Sequence, residues 1–207
     1  METFDFDKEF FQRSWGPDGY YEQFSYGVGF DAVVQRCLVP FFAISKTALE
    51  VGSGGGVFTE KMVPRFAHTT AIDVIQMPDK FAKYSHYKFS YIELPDKCYS
   101  PNLANNRFDF AFSYNCFCHL SNDALREYLI AVQAALKTGG DFLFMLANWE
   151  HSKKQVDKDY NLGELLPFGH FCQDERTLGF IVGEGWEIVN SNMIPEHRDL
   201  IIHLRKI

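Results

Sequence analysis

The chain has 207 residues, enough to bury a core as one domain without cross-links, and its 46% hydrophobic and 23% charged content is that of a soluble globular protein. A formal net charge of −7, with no Lys/Arg run, argues against a protein that tracks nucleic-acid phosphates. No apolar stretch approaches the roughly 20 residues that span a bilayer, and acidic residues stand where a secretory signal would be basic, so a cytoplasmic location is expected.

Ten of the first thirty residues are aromatic, against 16% of the whole chain. Trp15-Gly16-Pro17-Asp18-Gly19-Tyr20-Tyr21 and Phe24-Ser25-Tyr26-Gly27 predict a turn-rich arm within residues 1–45, not one amphipathic helix. The alternation of elements begins after it, over 46–207. Leu49-Glu50-Val51 reads as a strand, Gly52-Ser53-Gly54-Gly55-Gly56 as a tight turn, and Val57 to Val63 as a short helix stopped by Pro64. Thr69 to Asp73 is a second strand with an acidic end. Residues 78–85 predict a helix with Pro78 at its first position, and Lys88 to Glu93 alternates as a third strand.

Phe108 to Tyr114 is nearly all apolar, as a strand covered on both faces should be. Ser121 has the character of an N-cap, with Asp123 in the first turn, and Leu125, Leu129, Val132 and Leu136 recur at helical spacing up to Gly139-Gly140. Phe142 to Leu146 is another buried strand, and a polar-aromatic insert of about 148–173 follows it. Asp174 to Val182 predicts a helix, and Trp186–Val189 and Leu200–Leu204 predict two closing strands with no helix between them. This order gives an α/β fold, a doubly wound and mostly parallel Rossmann-like sheet with an antiparallel C-terminal edge strand pair.

Strand, glycine turn, helix, strand and carboxylate build a nucleoside crevice at the carboxyl edge of such a sheet. A dinucleotide fingerprint wants G-x-G-x-x-G/A, but counting from Gly52 puts Val57 in the third small position, and counting from Gly54 puts Thr59 there. The turn is therefore better suited to a ligand without a pyrophosphate. Cys37, Cys98, Cys116, Cys118 and Cys172 show no paired ligand spacing and read as free thiols of a reducing compartment.

With these residues in place, the sequence resembles the class I S-adenosylmethionine-dependent methyltransferases. Their first motif is an acidic residue followed by G-x-G-x-G, matched here by Glu50-Val51-Gly52-Ser53-Gly54-Gly55-Gly56. Phe108 to Asn115 followed by Phe117-Cys118-His119-Leu120 is similar to their fourth-strand motif, and Ala135 to Gly140 to the stretch before their fifth strand. The resemblance implies a seven-stranded sheet and S-adenosylmethionine as cofactor, S-adenosylhomocysteine being its product. It implies that Gly52, Ser53, Gly54 and Gly56 line the methionine and ribose portion. Glu50 would stabilise the loop or the methionine amine, and Asp73 would hydrogen-bond the ribose hydroxyls. Adenine is expected near Ile92-Glu93, with Asp96 as the alternative acidic residue, and Asn115 is expected beside the cofactor.

Methyl transfer to an amine needs little beyond alignment, whereas an alcohol must lose a proton, and histidine is the usual acceptor. His119, just after the fourth strand, and His151 and His170, in the insert, are the candidates for that base. Tyr114 and the aromatic arm (Trp15, Tyr20, Tyr21, Tyr26) are expected to shape the acceptor pocket, since tyrosine gives an apolar wall with a polar handle. Ser113-Tyr114-Asn115-Cys116 lacks both the Pro-Pro turn of base-methylating enzymes and the acidic ligands of metal-dependent ones. The expectation is metal-independent transfer to a small molecule, at the oxygen of a sugar, nucleotide sugar or glycan unit, with small-molecule N-methylation and a non-catalytic cofactor-binding subunit as alternatives. A homodimer is compatible with the sequence.

Overall fold

The computed structural model describes residues 28–76, 79–96, 98, 101–148, 172–173, 178–197 and 199–207. Its strands are β1 (Ala43–Val51), β2 (Phe66–Asp73), β3 (Phe89–Glu93), β4 (Phe108–Ser113), β5 (Leu136–Asn148), β6 (Cys172–Gln173), β7 (Trp186–Asn190) and β8 (Leu200–Lys206). Its α-helices among the described residues are α1 (Val28–Val33), α2 (Thr59–Met62), α3 (Asn122–Ala135) and α4 (Leu178–Val182). The main sheet runs β3-β2-β1-β4-β5-β8-β7, with the two-residue β6 beside the end of β5. Neighbours among β1 to β5 are parallel, and β8 is antiparallel to both β5 and β7. The expected seven-stranded, doubly wound sheet with an antiparallel closing pair is present, and β6 is an addition to it.

The period of two explains how the sheet is covered on both sides. Along β5, Phe142, Phe144 and Leu146 enter one cluster with Leu125, Leu129 and Val132 of α3 and Leu178 of α4. Leu143, Met145 and Ala147 enter the other, with Val33, Cys37 and Leu38 from α1 and its continuation and with Phe58 and Met62 around α2. Each fully buried Phe or Leu contributes about 2–3 kcal/mol of transfer free energy, and the strands are apolar on both faces for that reason. No helix among the described residues is long and apolar enough to cross a membrane.

Two predicted elements differ. Residues 78–85 were expected as an α-helix, but Asp79–His86 is a run of 3₁₀ turns. Phe81 and Tyr84 stand three apart, so a three-residue period directs both into the cluster with Val63, against Phe89 and Tyr91. The helix expected to run to Gly139-Gly140 ends at Ala135, and Leu136 is already extended and paired with Phe108. Lys137 Nζ reaches Asp109 Oδ1 at 2.8 Å and Lys206 Nζ donates to the Leu136 carbonyl at 2.7 Å, so tertiary contacts hold the segment in the sheet. Gly139, at φ +78°, supplies the left-handed residue of the register shift that follows.

Candidate active site

The strand order reverses between β1 and β4, so the connections after these strands diverge and leave a crevice at the carboxyl edge. The glycine turn closes its floor. Gly52 N–H donates to the Ile72 carbonyl at 2.9 Å and Gly56 N–H to the Ser53 carbonyl at 2.8 Å, with Gly52, Gly54 and Gly56 at φ +71°, +49° and +82°. A side chain at Gly52 would also collide with Cys116, and one at Gly56 with the Phe81 ring. These two glycines are fixed by conformation and by space together.

Both predicted acidic residues flank the turn. Asp73 ends β2 and accepts from Gly54 N–H at 2.7 Å and from Ile75 N–H at 3.2 Å, with Val74 N–H as a further backbone donor, so its carboxyl staples the turn. Burial raises its pKa, and those backbone donors oppose the rise. Glu50, on β1, is 3% exposed, and Thr59 of α2 donates to its carboxyl at 2.5 Å. Burial pushes Glu50 up to about 8, Thr59 pulling it down and the Asp73 charge adding to the rise. Tyr91 of β3 lies in the same field: burial first, then Asp73, Glu93 and Glu50, hold its hydroxyl protonated, and it donates to the Ile75 carbonyl at 2.7 Å. Carboxyl groups gathered around a water-poor turn make a place for a cationic ligand.

The remaining predicted residues take distinct positions on this edge. Ser53 is buried within the turn. Glu93 pairs in register with Asp73 at adjacent strand ends, and Ile92 beside it is 40% exposed. Asn115 follows β4 in the left-handed region at φ +54°, where asparagine is tolerated, with Cys118 Sγ 3.5 Å from its Oδ1. His119 is half-buried and ends a 3₁₀ turn, Phe117–His119, whose Phe117 and Cys118 are anchored in the core. Tyr114 packs against Phe58 with ring centroids 5.0 Å apart. His151, His170, Trp15, Tyr20, Tyr21 and Tyr26 lie outside the described residues.

Sequence reasoning missed several contributors. Thr59 has no motif of its own and is identified only by its bond to Glu50. Cys116, whose thiol burial and the Asp73 charge push up to about 12, stays protonated and acts as a wall against Gly52, not as a nucleophile. His197 stands 3.0 Å from the Tyr114 hydroxyl although 83 residues separate the two in sequence.

A switch-point crevice, a glycine turn that departs from the dinucleotide fingerprint and an acidic pair at the ends of β1 and β2 define a class I S-adenosylmethionine-dependent methyltransferase. The residues fit that cofactor on their own chemistry: the turn with Gly52, Gly54 and Gly56 at positive φ lies between the carboxyls of Glu50 and Asp73, an acidic cradle suited to a cationic ligand. In particular, the methyltransferase domain family profile matches residues 28–179, and the chain belongs to that family. The N-methyltransferase NodS from Bradyrhizobium japonicum WM9, in complex with S-adenosylhomocysteine, superposes with a TM-score of 0.69 at 19% identity, over 96% of this chain and 97% of that one. Magnesium protoporphyrin IX methyltransferase from Synechocystis PCC 6803, with the same product bound, gives 0.65 at 12% identity, covering 86% and 81%. The 1,6-didemethyltoxoflavin-N1-methyltransferase of Burkholderia thailandensis, bound to 1,6-didemethyltoxoflavin and S-adenosylhomocysteine, gives 0.53 at 20%, covering 78% and 71%. At these identities the likeness is one of fold. A search of curated proteins finds no sequence match.

Proposed function

We propose that this methyltransferase acts on a small-molecule acceptor, without a metal ion, and that the acceptor atom is a hydroxyl oxygen of a sugar, nucleotide sugar or glycan unit. The observation that carries the reading is the placement, on one sheet edge, of the Glu50–Asp73 glycine cradle and of the β4 exit bearing Tyr114, Asn115 and His119. S-adenosylmethionine, when bound, supplies an electrophilic methyl group, and the chain supplies alignment and charge. Gly52 to Gly56 shape the floor, Asp73 offers its carboxyl to ribose hydroxyls, and Glu50 faces the cationic end. Glu93 and Ile92 flank the adenine side. On the acceptor side, His119 and Tyr114 are the polar groups able to meet a hydroxyl proton, with His151, His170 and the aromatic arm as further contributors.

A second reading, N-methylation of a small amine, is supported by the names of two of the similar structures. Calorimetric titration with S-adenosylmethionine, S-adenosylhomocysteine and NAD is the first test, with micromolar-range binding of the first two and none of the third expected. S-adenosylhomocysteine release is then measured with UDP-hexoses and with the matching amino sugars. Turnover of the hexoses supports oxygen; turnover confined to the amino sugars transfers the assignment to nitrogen. Binding of NAD instead would overturn the cofactor assignment.

A further inference from the structure

β8 runs antiparallel to β5, with Leu200 opposite Leu146, so the loop joining β7 to β8 returns to the carboxyl edge of the sheet. Ile194, 1% exposed, roots that loop in the core, and Met193 N–H donates to the Ile201 carbonyl at 2.7 Å. The loop brings His197 to Tyr114, the first residue after β4. Tyr114 Oη and His197 Nε2 are 3.0 Å apart, and the rings meet edge to face at 6.0 Å.

The other ring nitrogen is placed in an unusual way. Nδ1 of His197 lies 3.0 Å from the backbone N of Asp199 and 3.1 Å from the backbone carbonyl of the same residue. The N–H can only donate and the carbonyl can only accept, so Nδ1 has a partner whether it is bare or protonated. A tyrosine hydroxyl faces Nε2 and serves either sense. Each neutral tautomer and the imidazolium therefore keep two hydrogen bonds with the ring unmoved. A histidine fixed for packing is held in one tautomer by a partner of one sense; this one is free to change its proton.

We infer that Tyr114 and His197 form a proton relay on the acceptor rim of the crevice. The inference rests on the hydroxyl-acceptor reading given above. An acceptor hydroxyl resting on Tyr114 passes its proton to Oη while the tyrosine's own proton moves to His197 Nε2. The electron pair of the broken O–H bond stays on the acceptor oxygen, which becomes the nucleophile, and the half-buried imidazolium later returns its proton to water. Tyr114 is the group that touches the acceptor, and His197 acts through it. Among the described residues, the charged groups near the imidazole are Glu196, which pairs with Arg36 at 2.6 Å, and Asp199, a buried residue whose backbone meets Nδ1.

The test uses the full chain with ¹⁵N-labelled histidine, the His197 signals being identified by their loss in His197→Gln. Both neutral tautomers are expected, in a ratio and with a titration midpoint that shift in Tyr114→Phe. A tautomer ratio and midpoint unmoved by Tyr114→Phe overturn the relay. Glutamine retains a hydrogen bond to Tyr114 but cannot take its proton, so it separates proton transfer from positioning. In S-adenosylhomocysteine release with UDP-hexoses, His197→Gln should lower kcat by about 10²-fold and remove the acid limb of its pH profile, leaving KM and S-adenosylhomocysteine affinity within about twofold. An unchanged kcat–pH profile in this variant also overturns the proposal. If the native chain binds S-adenosylhomocysteine but methylates no UDP-hexose, the acceptor class falls, and the histidine titration still decides the relay.

Discussion

Glu50 sits where β1 gives way to the glycine turn, its carboxyl removed from water and held by Thr59. Because burial raises it from 4.5 to about 8, the folded protein binds this proton more tightly than the unfolded chain does. Its favourable contribution to folding is complete below the lower value and is lost as the pH rises through the upper one. In the role proposed for Glu50, a cationic ligand group beside it requires the carboxylate, and cofactor binding at pH 7 then expels that proton. Calorimetry with S-adenosylmethionine in buffers of different ionisation enthalpy should report release of about one proton, and Glu50→Gln should report close to none. Equal proton release in the two proteins would remove Glu50 from the cofactor site. The sequence placed Glu50, Asp73 and the glycines around one turn because their order follows from backbone conformation, which is local. It could not identify Thr59, Cys116 or His197, because their roles arise only where separate strands end side by side.

At the scale of elements, α3 shows what local chemistry decides. Ser121, extended at φ −62° and ψ 161°, accepts from the Ala124 N–H at 3.3 Å, as its position before Asn122-Asp123 predicts. Ser121→Ala should cost about 1 kcal/mol, lowering the thermal midpoint by about 2–4 °C, whereas Ser121→Asp should retain the cap. A midpoint unaffected by the alanine would show the helix start to be held by tertiary packing alone. The other end of α3 was not legible. Leu136 continues the apolar helical spacing, and Gly139-Gly140 resembles a stop, yet pairing with Phe108 and the reach of Lys137 to Asp109 draw the chain into β5. The 3₁₀ turns of 79–86 were misread for a related reason, since Phe81 and Tyr84 fit either period and the packing partners that choose between them lie on other elements.

For the whole molecule, the mostly parallel sheet covered on both faces and its antiparallel closing pair were legible because β4 and β5 are apolar on both faces and the last two strands lack a helix between them. What closes the sheet was not, because it depends on polar side chains brought together across 62 and 64 residues of sequence. Asp141 at the start of β5 accepts from His203 Nε2 at 2.8 Å and from Arg205 Nε at 3.0 Å, both on β8. The pair is shielded, with His203 6% and Asp141 9% exposed, and Phe41 lies edge-on to the His203 ring at 5.3 Å. Burial alone would lift Asp141, but the bonds from His203 and Arg205 outweigh it and hold the carboxyl below its ordinary value of 3.8. A depressed carboxyl contributes stability that is present above the unfolded value and is lost as the pH falls through the folded one. Asp141→Asn should therefore cost about 2 kcal/mol at pH 7, and the cost should shrink progressively as the pH falls below about 4, where the unfolded chain's carboxyl takes up its proton while the native one still resists it. Denaturant unfolding of both proteins from pH 7 down to pH 3 measures the difference. A penalty that stays constant over that range would mean that Asp141 holds β8 by shape and neutral hydrogen bonding, and that its charge adds nothing to the closure that carries the β7–β8 loop back to the crevice.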